Sequence, residues 1–384
     1  MNVKSVQKLP YRRIVIKLGT SLLTGGSDKL DINVMSDLAR QVAKIHANGV
    51  QVLIVTSGAV AAGRSKLGLT KAQTKKNCGV PFKQIMASVG QGLLMHTYEQ
   101  LFAEYNITVA QALLTRADIT SRDGYLNARG TLLALLEMGV LAIVNENDVV
   151  AVEELSGSRF GDNDNLSAMV ANLVDADLLL ILSDIAGLYT ADPHHNPKAR
   201  LIEEVKKITP EIESLVTNTA SSLGTGGMIT KIEAAKVAVA SGVKLIITDG
   251  REPDIIVRIA AGEKLGTLFT TAAGKLESRE RWMVSGLSTR GKLSVDSGCA
   301  RALKKNNGSV LAVGIVGVEG KFKRGDVVDV IDPKGIRCAS GLTNYSASEI
   351  KRIKGVKSCD ITGVLGHDYG SEVIHRNNLV VLQP

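Results

Sequence analysis

A lysine lies at the end of the first apolar run of the chain, beside small and hydroxyl residues. The run Ile14–Leu18 is apolar and β-branched, which is typical of a buried strand. Ligands of open α/β sheets bind just beyond the carboxyl ends of the strands, so Lys17 could hold a phosphate there as a point charge. Gly19 would let the backbone approach the anion, and Thr20 and Ser21 would add donors. The alternative is a strand-end lysine that only keeps an edge of the sheet soluble.

A second strand leads into a turn of small residues. Val50–Val55 is apolar and is followed by Thr56–Gly63, which turns directly into a helix. Backbone N–H groups at the start of such a helix can bind an anion or a carboxylate, with Ser57 beside them. Ser57 as an ordinary helix N-cap is a serious competing interpretation.

Two clusters of short polar side chains follow further along the chain. Asn145–Asp148 ends the strand Val140–Val144, and Phe160–Leu166 opens the helix Leu166–Leu173. Polar side chains are costly to bury for structure alone, although each Asn or Asp taken singly could cap a helix or make a turn. Because both clusters lie where a sheet presents its ligands, we interpret them as functional.

Three later segments are suited to a nucleotide. Ser183 and Asp184 end the apolar strand Asp177–Leu182, and the loop Gly187–Pro193 could wrap a base or ribose. The Gly- and Thr-rich segment Leu223–Lys231 opens a helix, where oriented N–H groups and a lysine would cradle phosphate. The segment is not a Walker A sequence.

Apolar strands and amphipathic helices alternate from the first strand to Phe269, which predicts a mostly parallel sheet covered on both faces. After a charged stretch, short strands such as Gly308–Val318 and Asp326–Ile331 are separated by Gly-rich turns, which indicates a small β-rich domain. We therefore expect a catalytic domain over residues 1–275, a linker over 276–288 and a second domain over 289–384.

Composition and charge narrow the classes of protein. The 384 residues are 45% hydrophobic with a net charge of +8, and residues 289–384 carry fifteen Lys and Arg against nine Asp and Glu. A basic C-terminal third could bind nucleic acid, although a solvated basic surface is the commoner explanation. Four scattered cysteines, no signal-peptide pattern and no long apolar run predict a cytoplasmic protein without a zinc or disulfide framework.

The motifs together resemble the amino-acid kinase family, and most closely its glutamate-phosphorylating branch with a C-terminal PUA domain. The resemblance covers essentially the whole chain, and six motifs occur in the family's order. They are Ile16–Ser21, Thr56–Gly63, Asn145–Asp148, Gly161–Ala168, Gly187–Pro193 and Gly224–Lys231. The resemblance implies a three-layer α/β sandwich with a mostly parallel central sheet, followed by a small β-rich PUA-like domain.

The resemblance also implies the roles of individual residues. Lys17 and Lys231 would bind the transferring phosphoryl group, and Asp164 would orient both lysines. Ser57, Asp148 and Asn163 would bind glutamate. ATP would be held by residues on the nucleotide side, which are Lys17, Ser183, Asp184, Thr225, Gly226, Gly227, Met228, Ile229, Thr230 and Lys231. No direct metal ligand is assigned.

The implied reaction is ATP-dependent phosphorylation of the γ-carboxylate of L-glutamate with Mg²⁺, as the first step of proline biosynthesis. Feedback inhibition by proline and a homo-oligomer, a dimer or a tetramer, are implied as well. The acceptor carboxylate is already ionised at pH 7, so no general base is needed. Accordingly, we interpret His46, His96, His194 and His195 as structural or solvated.

Two rival functions remain at this point. One is a kinase of the same fold that acts on aspartate, N-acetylglutamate, carbamate or UMP; the two polar clusters and the PUA-like tail favour glutamate. The other is an RNA-binding protein whose first domain is only regulatory. Both lysines and the acidic cluster are present, and the tail has few aromatic residues for base stacking, which disfavours the second alternative.

Overall fold

The computed structural model describes residues 9–70, 73–74, 79–151, 163–193, 195–217, 227–271, 289–306 and 308–381. The chain divides into two compact units. The first consists of Met1–Ile119 and Ala128–Ala272, and the second consists of Thr120–Asn127 and Ala273–Pro384. The predicted linker, residues 276–288, lies outside the described residues.

The first unit is built on an eight-stranded sheet with the strand order β3-β4-β2-β1-β5-β7-β8-β6. The strands are β1 Arg13–Leu18, β2 Gln51–Thr56, β3 Val109–Leu114, β4 Leu141–Glu146, β5 Leu178–Ser183, β6 Glu204–Val205, β7 Lys244–Asp249 and β8 Thr267–Phe269.

This sheet is parallel apart from one pair of neighbours, β7 and β8, which are antiparallel. The central strands β1, β2, β4 and β5 are buried almost along their whole length, as expected of parallel strands with both faces covered. The predicted mostly parallel α/β architecture is confirmed. Since parallel strands end at the same edge, the order β4-β2-β1-β5-β7 also determines which strand ends are neighbours there.

Helices connect these strands. Their bounds are α1 Thr20–Leu23, α2 Ile32–Ala47, α3 Ala59–Lys66, α4 Val80–Ala103, α5 Arg116–Thr120, α6 Arg122–Glu137, α7 Asn163–Leu173, α8 Pro210–Thr217, α9 Met228–Ala240 and α10 Ile255–Ala260.

Helix α2 shows how the local sequence sets these bounds. Asp31 caps its N-terminus by accepting hydrogen bonds from the backbone N–H groups of Asn33 and Val34 at 3.0 and 3.2 Å. Its apolar residues Leu38 and Val42 pack into the main core of the unit, where the side chains of β1 also lie.

Two glycines bring helices α3 and α4 into backbone contact. A Cβ added to Gly63 would lie 1.7 Å from the carbonyl oxygen of Met86, and one added to Gly90 would lie 1.9 Å from that of Ala59. No side chain fits at either position, so the two helices can approach this closely only with glycine there. The contact holds the middle of α4 against the first turn of α3, directly after the Ser57 turn.

The second unit contains a five-stranded sheet with the order β10-β9-β11-β12-β13. Its elements are β9 Gly291–Val295, α11 Ser297–Asn306, β10 Ile315–Gly320, β11 Val327–Ile331, β12 Arg337–Leu342, α12 Ala347–Ile353, α13 Ile361–Leu365 and β13 Leu379–Val381, with short 3₁₀ turns at Ala312–Gly314, Ser358–Asp360 and Arg376–Asn378. The predicted small β-rich domain is confirmed.

One strand of this unit differs from the prediction, which placed a continuous strand over residues 308–318. Val310 instead forms an isolated bridge with Ile374, and a 3₁₀ turn over Ala312–Gly314 precedes β10. The turn passes close to helix α11, where a Cβ on Gly314 would lie 2.8 Å from the Cβ of Cys299. Packing against α11 therefore interrupts a run that is β-prone by composition.

Across the described part of the chain, none of the helices combines the length and the apolar character needed to span a lipid bilayer.

Candidate active site

One buried carboxylate lies between two buried lysines at the carboxyl edge of the first sheet. Lys17 is near the end of β1, Asp164 is in the first turn of α7, and Lys231 is in the first turns of α9. Asp164 Oδ1 is 2.7 Å from Lys17 Nζ, and its Oδ2 is 3.1 Å from Lys231 Nζ. The Thr230 hydroxyl lies 2.9 Å from Oδ2. Asp164 thus holds two ammonium groups from distant segments side by side.

The electrostatics of this cluster favour an ionised carboxylate. Asp164 is fully buried, which by itself would raise its pKa. The charges of Lys17 and Lys231, together with hydrogen bonds from Lys17 and Thr230, instead lower the pKa of Asp164 well below its ordinary value. Two ammonium groups therefore lie together at the sheet edge, where they can attract an anion such as a transferring phosphoryl group.

The position of Lys17 excludes the alternative of a solubilising edge lysine. Strand β1 lies inside the sheet between β2 and β5, and Lys17 is 5% exposed. A Cβ on Gly19 would lie 3.7 Å from Lys17 Nζ. The glycine leaves the space beside the ammonium group open, as predicted for an anion site. Gly19 has a φ of −80°, so this space, and not backbone strain, is what the glycine provides.

Ser57 does not cap helix α3, so the competing N-cap interpretation is wrong. The N-cap residue is Gly58, in the left-handed region with a φ of 103°, and no side chain caps the helix. Ser57 is buried, and its Oγ accepts a hydrogen bond from Asn163 Nδ2 at 3.1 Å. The backbone conformation of Gly58 thus leaves the hydroxyl of Ser57 facing α7.

Asn163 joins Ser57 to the end of strand β4. Its Nδ2 also lies 3.3 Å from Asn145 Oδ1, and Asn145 Nδ2 donates to Gln91 Oε1 at 2.8 Å. Asn163 is 3% exposed, and its buried Oδ1 has no hydrogen-bond partner among the described residues. An unpartnered buried acceptor is costly, so this atom is suited to a donor on a ligand.

Asp148 lies just after β4, near the buried Glu146. Burial, and secondarily the negative charge of Glu146, raise the pKa of Asp148 from its ordinary value to about 7. This half-buried carboxyl group has an acidic neighbour and, among the described residues, no basic partner. It is therefore suited to a cationic group of a ligand, such as an ammonium.

Two of the predicted nucleotide residues, Ser183 and Asp184, lie at the end of strand β5. Ser183 is buried, and its hydroxyl donates to Asp184 Oδ1 at 3.2 Å, while the exposed Asp184 accepts through its carbonyl oxygen from Arg251 at 2.8 Å. Arg251 also pairs with Asp249 at the end of β7. This strand end lies next to Gly19, whose added Cβ would be 3.7 Å from the carbonyl oxygen of Leu182.

The phosphate segment is described only in part. Gly227 is the N-cap residue of α9, with Met228 and Ile229 partly exposed in the first turn and Thr230 and Lys231 buried behind them. Thr225 and Gly226 lie outside the described residues, as do residues 221–224.

The order of the strands therefore arranges the site in sequence along the sheet edge. Asn145 is on β4, and Asp148 follows the end of that strand. Ser57 follows β2, Lys17 is on β1, and Ser183 is on β5. The candidate acceptor residues lie on one side of the lysines and the candidate nucleotide residues lie on the other. An acceptor and a nucleotide would meet at the ammonium groups.

Comparison with known proteins shows the family to which the chain belongs. The model of the amino acid kinase family matches residues 12–249, and that of the PUA domain matches residues 291–365. The chain belongs to the amino acid kinase family.

Relatives in the amino acid kinase family match almost the full length of the chain. A glutamate 5-kinase of Dehalococcoides mccartyi strain CBDB1 is 56% identical over 97% of this chain and 99% of its own. Glutamate 5-kinases of Herpetosiphon aurantiacus and Shewanella sediminis are 50% and 47% identical, over 96% and 98% of this chain and 98% and 100% of their own.

The structure adds two residues to those that the family resemblance assigned. The sequence marked Asn145 only as part of a polar motif, and the position of that motif in the sequence did not indicate which residue Asn145 would contact. Gln91 lies in the middle of helix α4, where no motif marks it, and only the packing of α4 brings it to Asn145. The one signal in the sequence that could have indicated it is a polar residue directly after a glycine, Gly90, that could allow close helix packing.

Proposed function

We propose that the protein transfers the γ-phosphoryl group of ATP to the γ-carboxylate of L-glutamate. The observation that supports this most strongly is the placing of Lys17, Asp164 and Lys231 between candidate amino-acid residues on one side and candidate nucleotide residues on the other. The identity to glutamate 5-kinases over nearly the whole chain supports glutamate as the acceptor.

The chemistry needs positioning and charge more than proton transfer. An oxygen of the ionised γ-carboxylate attacks the γ-phosphorus, the bond from that phosphorus to the bridging oxygen breaks, and ADP leaves as glutamyl 5-phosphate forms. Lys17 and Lys231 would bind the phosphoryl oxygens as charge develops on them, and Asp164 would keep both lysines in place.

Mg²⁺ fits this site as an ion held mainly by the phosphates. Both oxygens of Asp164 are engaged by lysines, and the described part of the chain offers no group of three or more His, Cys, Asp or Glu that could hold a metal. Mg²⁺ commonly takes most of its ligands from nucleotide phosphates and water. When bound, it would neutralise charge on those phosphates.

ADP release with candidate acceptors tests the proposal. We expect turnover of ATP with L-glutamate and a much lower kcat/KM with aspartate, N-acetylglutamate, carbamate or UMP. Trapping of the acyl phosphate by hydroxylamine should yield one hydroxamate per ADP. If a folded, ATP-binding protein released no ADP with L-glutamate, the proposal would be disproved. A preference for another acceptor would identify that molecule, and not glutamate, as the substrate.

Asp148 should make glutamate binding dependent on pH. We propose that its carboxylate pairs with the α-ammonium, so the group must be ionised, and its pKa of about 7 means that it is largely protonated at pH 6. We expect kcat/KM for glutamate to fall roughly tenfold per pH unit below about pH 7. Asp148→Asn should raise the glutamate KM and flatten that profile, measured by initial rates between pH 5.5 and 8.5.

The protonation of Asp148 should also affect the stability of the protein, which gives a second, independent measurement. Because its pKa is raised on folding, Asp148 stabilises the protein when protonated, and that contribution is lost as the pH rises to about 7. Asp148→Asn should therefore stabilise the ligand-free protein at pH 8 while weakening glutamate binding. A pH profile unchanged by Asp148→Asn would contradict the pairing with the ammonium.

We also propose inhibition by proline in competition with glutamate. Proline carries the same α-carboxylate and an α-ammonium, so Ser57, Asp148 and the segment Asn147–Gly161 could bind either molecule. Residues 152–161 of this segment lie outside the described part of the chain. Proline should raise the apparent glutamate KM and leave kcat unchanged, and Asp148→Asn should weaken the inhibition. Full activity at low glutamate with millimolar proline would count against this.

We propose that the PUA-like domain, residues 289–384 after a linker over 276–288, regulates activity or assembly into a homo-oligomer. None of the proposed site residues lies in it. RNA binding by its basic surface and a cytoplasmic location stay predictions.

A further inference from the structure

Helix α4 brings a half-buried glutamine side chain to the acceptor side of the site. Gln91 Oε1 accepts from Asn145 Nδ2 at 2.8 Å. The helix is held on either side of this residue. Gly90 packs against the backbone of Ala59, and the Tyr98 hydroxyl lies 2.7 Å from that of Thr56, at the end of β2. Gln91 thus reaches Asn145 from a rigid helix, and the mechanism above does not use it.

A backbone group determines the orientation of the amides in this network. The N–H of Glu146 can only donate, and it donates to Asn145 Oδ1 at 2.9 Å. Asn145 Nδ2 is therefore the donor that faces Gln91, so the atom of Gln91 that receives it must be the oxygen. Because Asn145 Oδ1 is an acceptor, the atom of Asn163 that lies 3.3 Å from it must be the amide nitrogen.

This relay ends in two polar atoms with which a bound ligand could form hydrogen bonds. Asn163 Oδ1 and Gln91 Nε2 are buried, and neither has a hydrogen-bond partner among the described residues. One is an acceptor and the other is a donor. An α-amino acid supplies the complementary pair, an ammonium that donates and a carboxylate that accepts, whereas a ligand lacking either group would leave a buried atom unpaired.

We propose that Gln91 is a positioning residue for the amino-acid substrate. It holds the amide of Asn145, which holds the amide of Asn163 with Oδ1 directed to the α-ammonium. The inference rests on the proposed function, since it concerns the α-ammonium of the same acceptor. It assigns to α4 a part in substrate affinity that the strand-end motifs do not contain.

Replacing Gln91 by methionine tests the relay. Gln91→Met keeps the length of the side chain and removes the acceptor for Asn145. We expect the glutamate KM to rise about tenfold, because the loss of one hydrogen bond to a buried group typically weakens binding by about that factor. The kcat and the ATP KM should stay within about twofold, because neither depends on the orientation of Asn163. A merely structural role would not separate these parameters.

Gln41→Met is a matched control. Gln41 is a fully buried glutamine whose Oε1 accepts from the backbone N–H of Ile256 at 2.9 Å, away from the sheet edge. Its replacement should lower the unfolding midpoint and leave the glutamate KM unchanged. If Gln91→Met does not fold, Gln91→Asn, which keeps the amide but is too short to reach Asn145, should raise the glutamate KM in the same way.

A double-mutant cycle shows whether Gln91 acts through Asn145. In an Asn145→Ala background, Gln91→Met should change the glutamate KM by less than about twofold. Independent, multiplying effects of the two substitutions, or an unchanged KM in folded Gln91→Met, would overturn the inference. Either result is distinct from failure of the proposed function, in which the unsubstituted protein itself does not turn over glutamate.

Discussion

Replacing Lys17 or Lys231 by alanine is expected to lower kcat on the order of 10²–10³-fold while the glutamate KM changes little. Each ammonium would stabilise charge that grows on the phosphoryl oxygens in the transition state, so its loss acts on the barrier more than on substrate binding. Steady-state rates at saturating ATP and glutamate, with KM for each, measure this directly.

Lys236→Ala is the matched control for this experiment. Lys236 lies on the same helix as Lys231 but is exposed, in an ion pair with Glu213 at 2.8 Å, so its removal should leave kcat unchanged. A variant of Lys17 or Lys231 that kept a kcat near that of the unsubstituted protein would show that the lysine does not bind the transferring phosphoryl group.

Asp164→Asn should reduce both turnover and stability. The asparagine retains a polar side chain of the same shape but removes the negative charge that both buried ammonium groups contact. Removing one partner of a buried ion pair typically costs about 3–5 kcal/mol of the free energy of unfolding. We expect kcat to fall at least about 10²-fold, because mutual repulsion would displace the lysines, and the stability to recover partly when ATP supplies negative charge.

Asp175→Asn separates the two effects. Asp175 pairs with the buried Arg129 at 2.5 Å, beyond the opposite end of α7 from Asp164, so its loss should lower the free energy of unfolding without lowering kcat. Urea titrations with and without ATP, together with kcat, compare the two variants. If Asp164→Asn lost stability but kept its kcat, the carboxylate would have a structural role only.

The strands and the sheet edge that carries the site could be predicted, because they depend on residues that are close together in the chain. The apolar runs Arg13–Leu18 and Leu178–Ser183 are buried strands, and their alternation with amphipathic helices determines a mostly parallel sheet. Parallel strands end at one edge, so residues just after the strands, such as Ser57 and Ser183, could be assigned to a common site before any contact was known.

The partners of those residues could not be predicted in this way. Whether Ser57 caps a helix or faces Asn163 depends on the left-handed backbone of Gly58 and on where α7 begins relative to β2. The turn at Ala312–Gly314 likewise depends on packing against a neighbouring helix, which local β-propensity does not contain.

The sequence by itself therefore determined the fold class, the edge of the sheet that carries the site and the residue types available there. The family resemblance implied that Asp164 orients Lys17 and Lys231, and the tertiary structure gives the contacts that do so. Only the tertiary structure decided that Gln91 reaches Asn145. The physical reason is that periodicity and turn chemistry act between near neighbours in the chain. A hydrogen bond between distant segments depends on strand order, on register and on how closely two helices can pack.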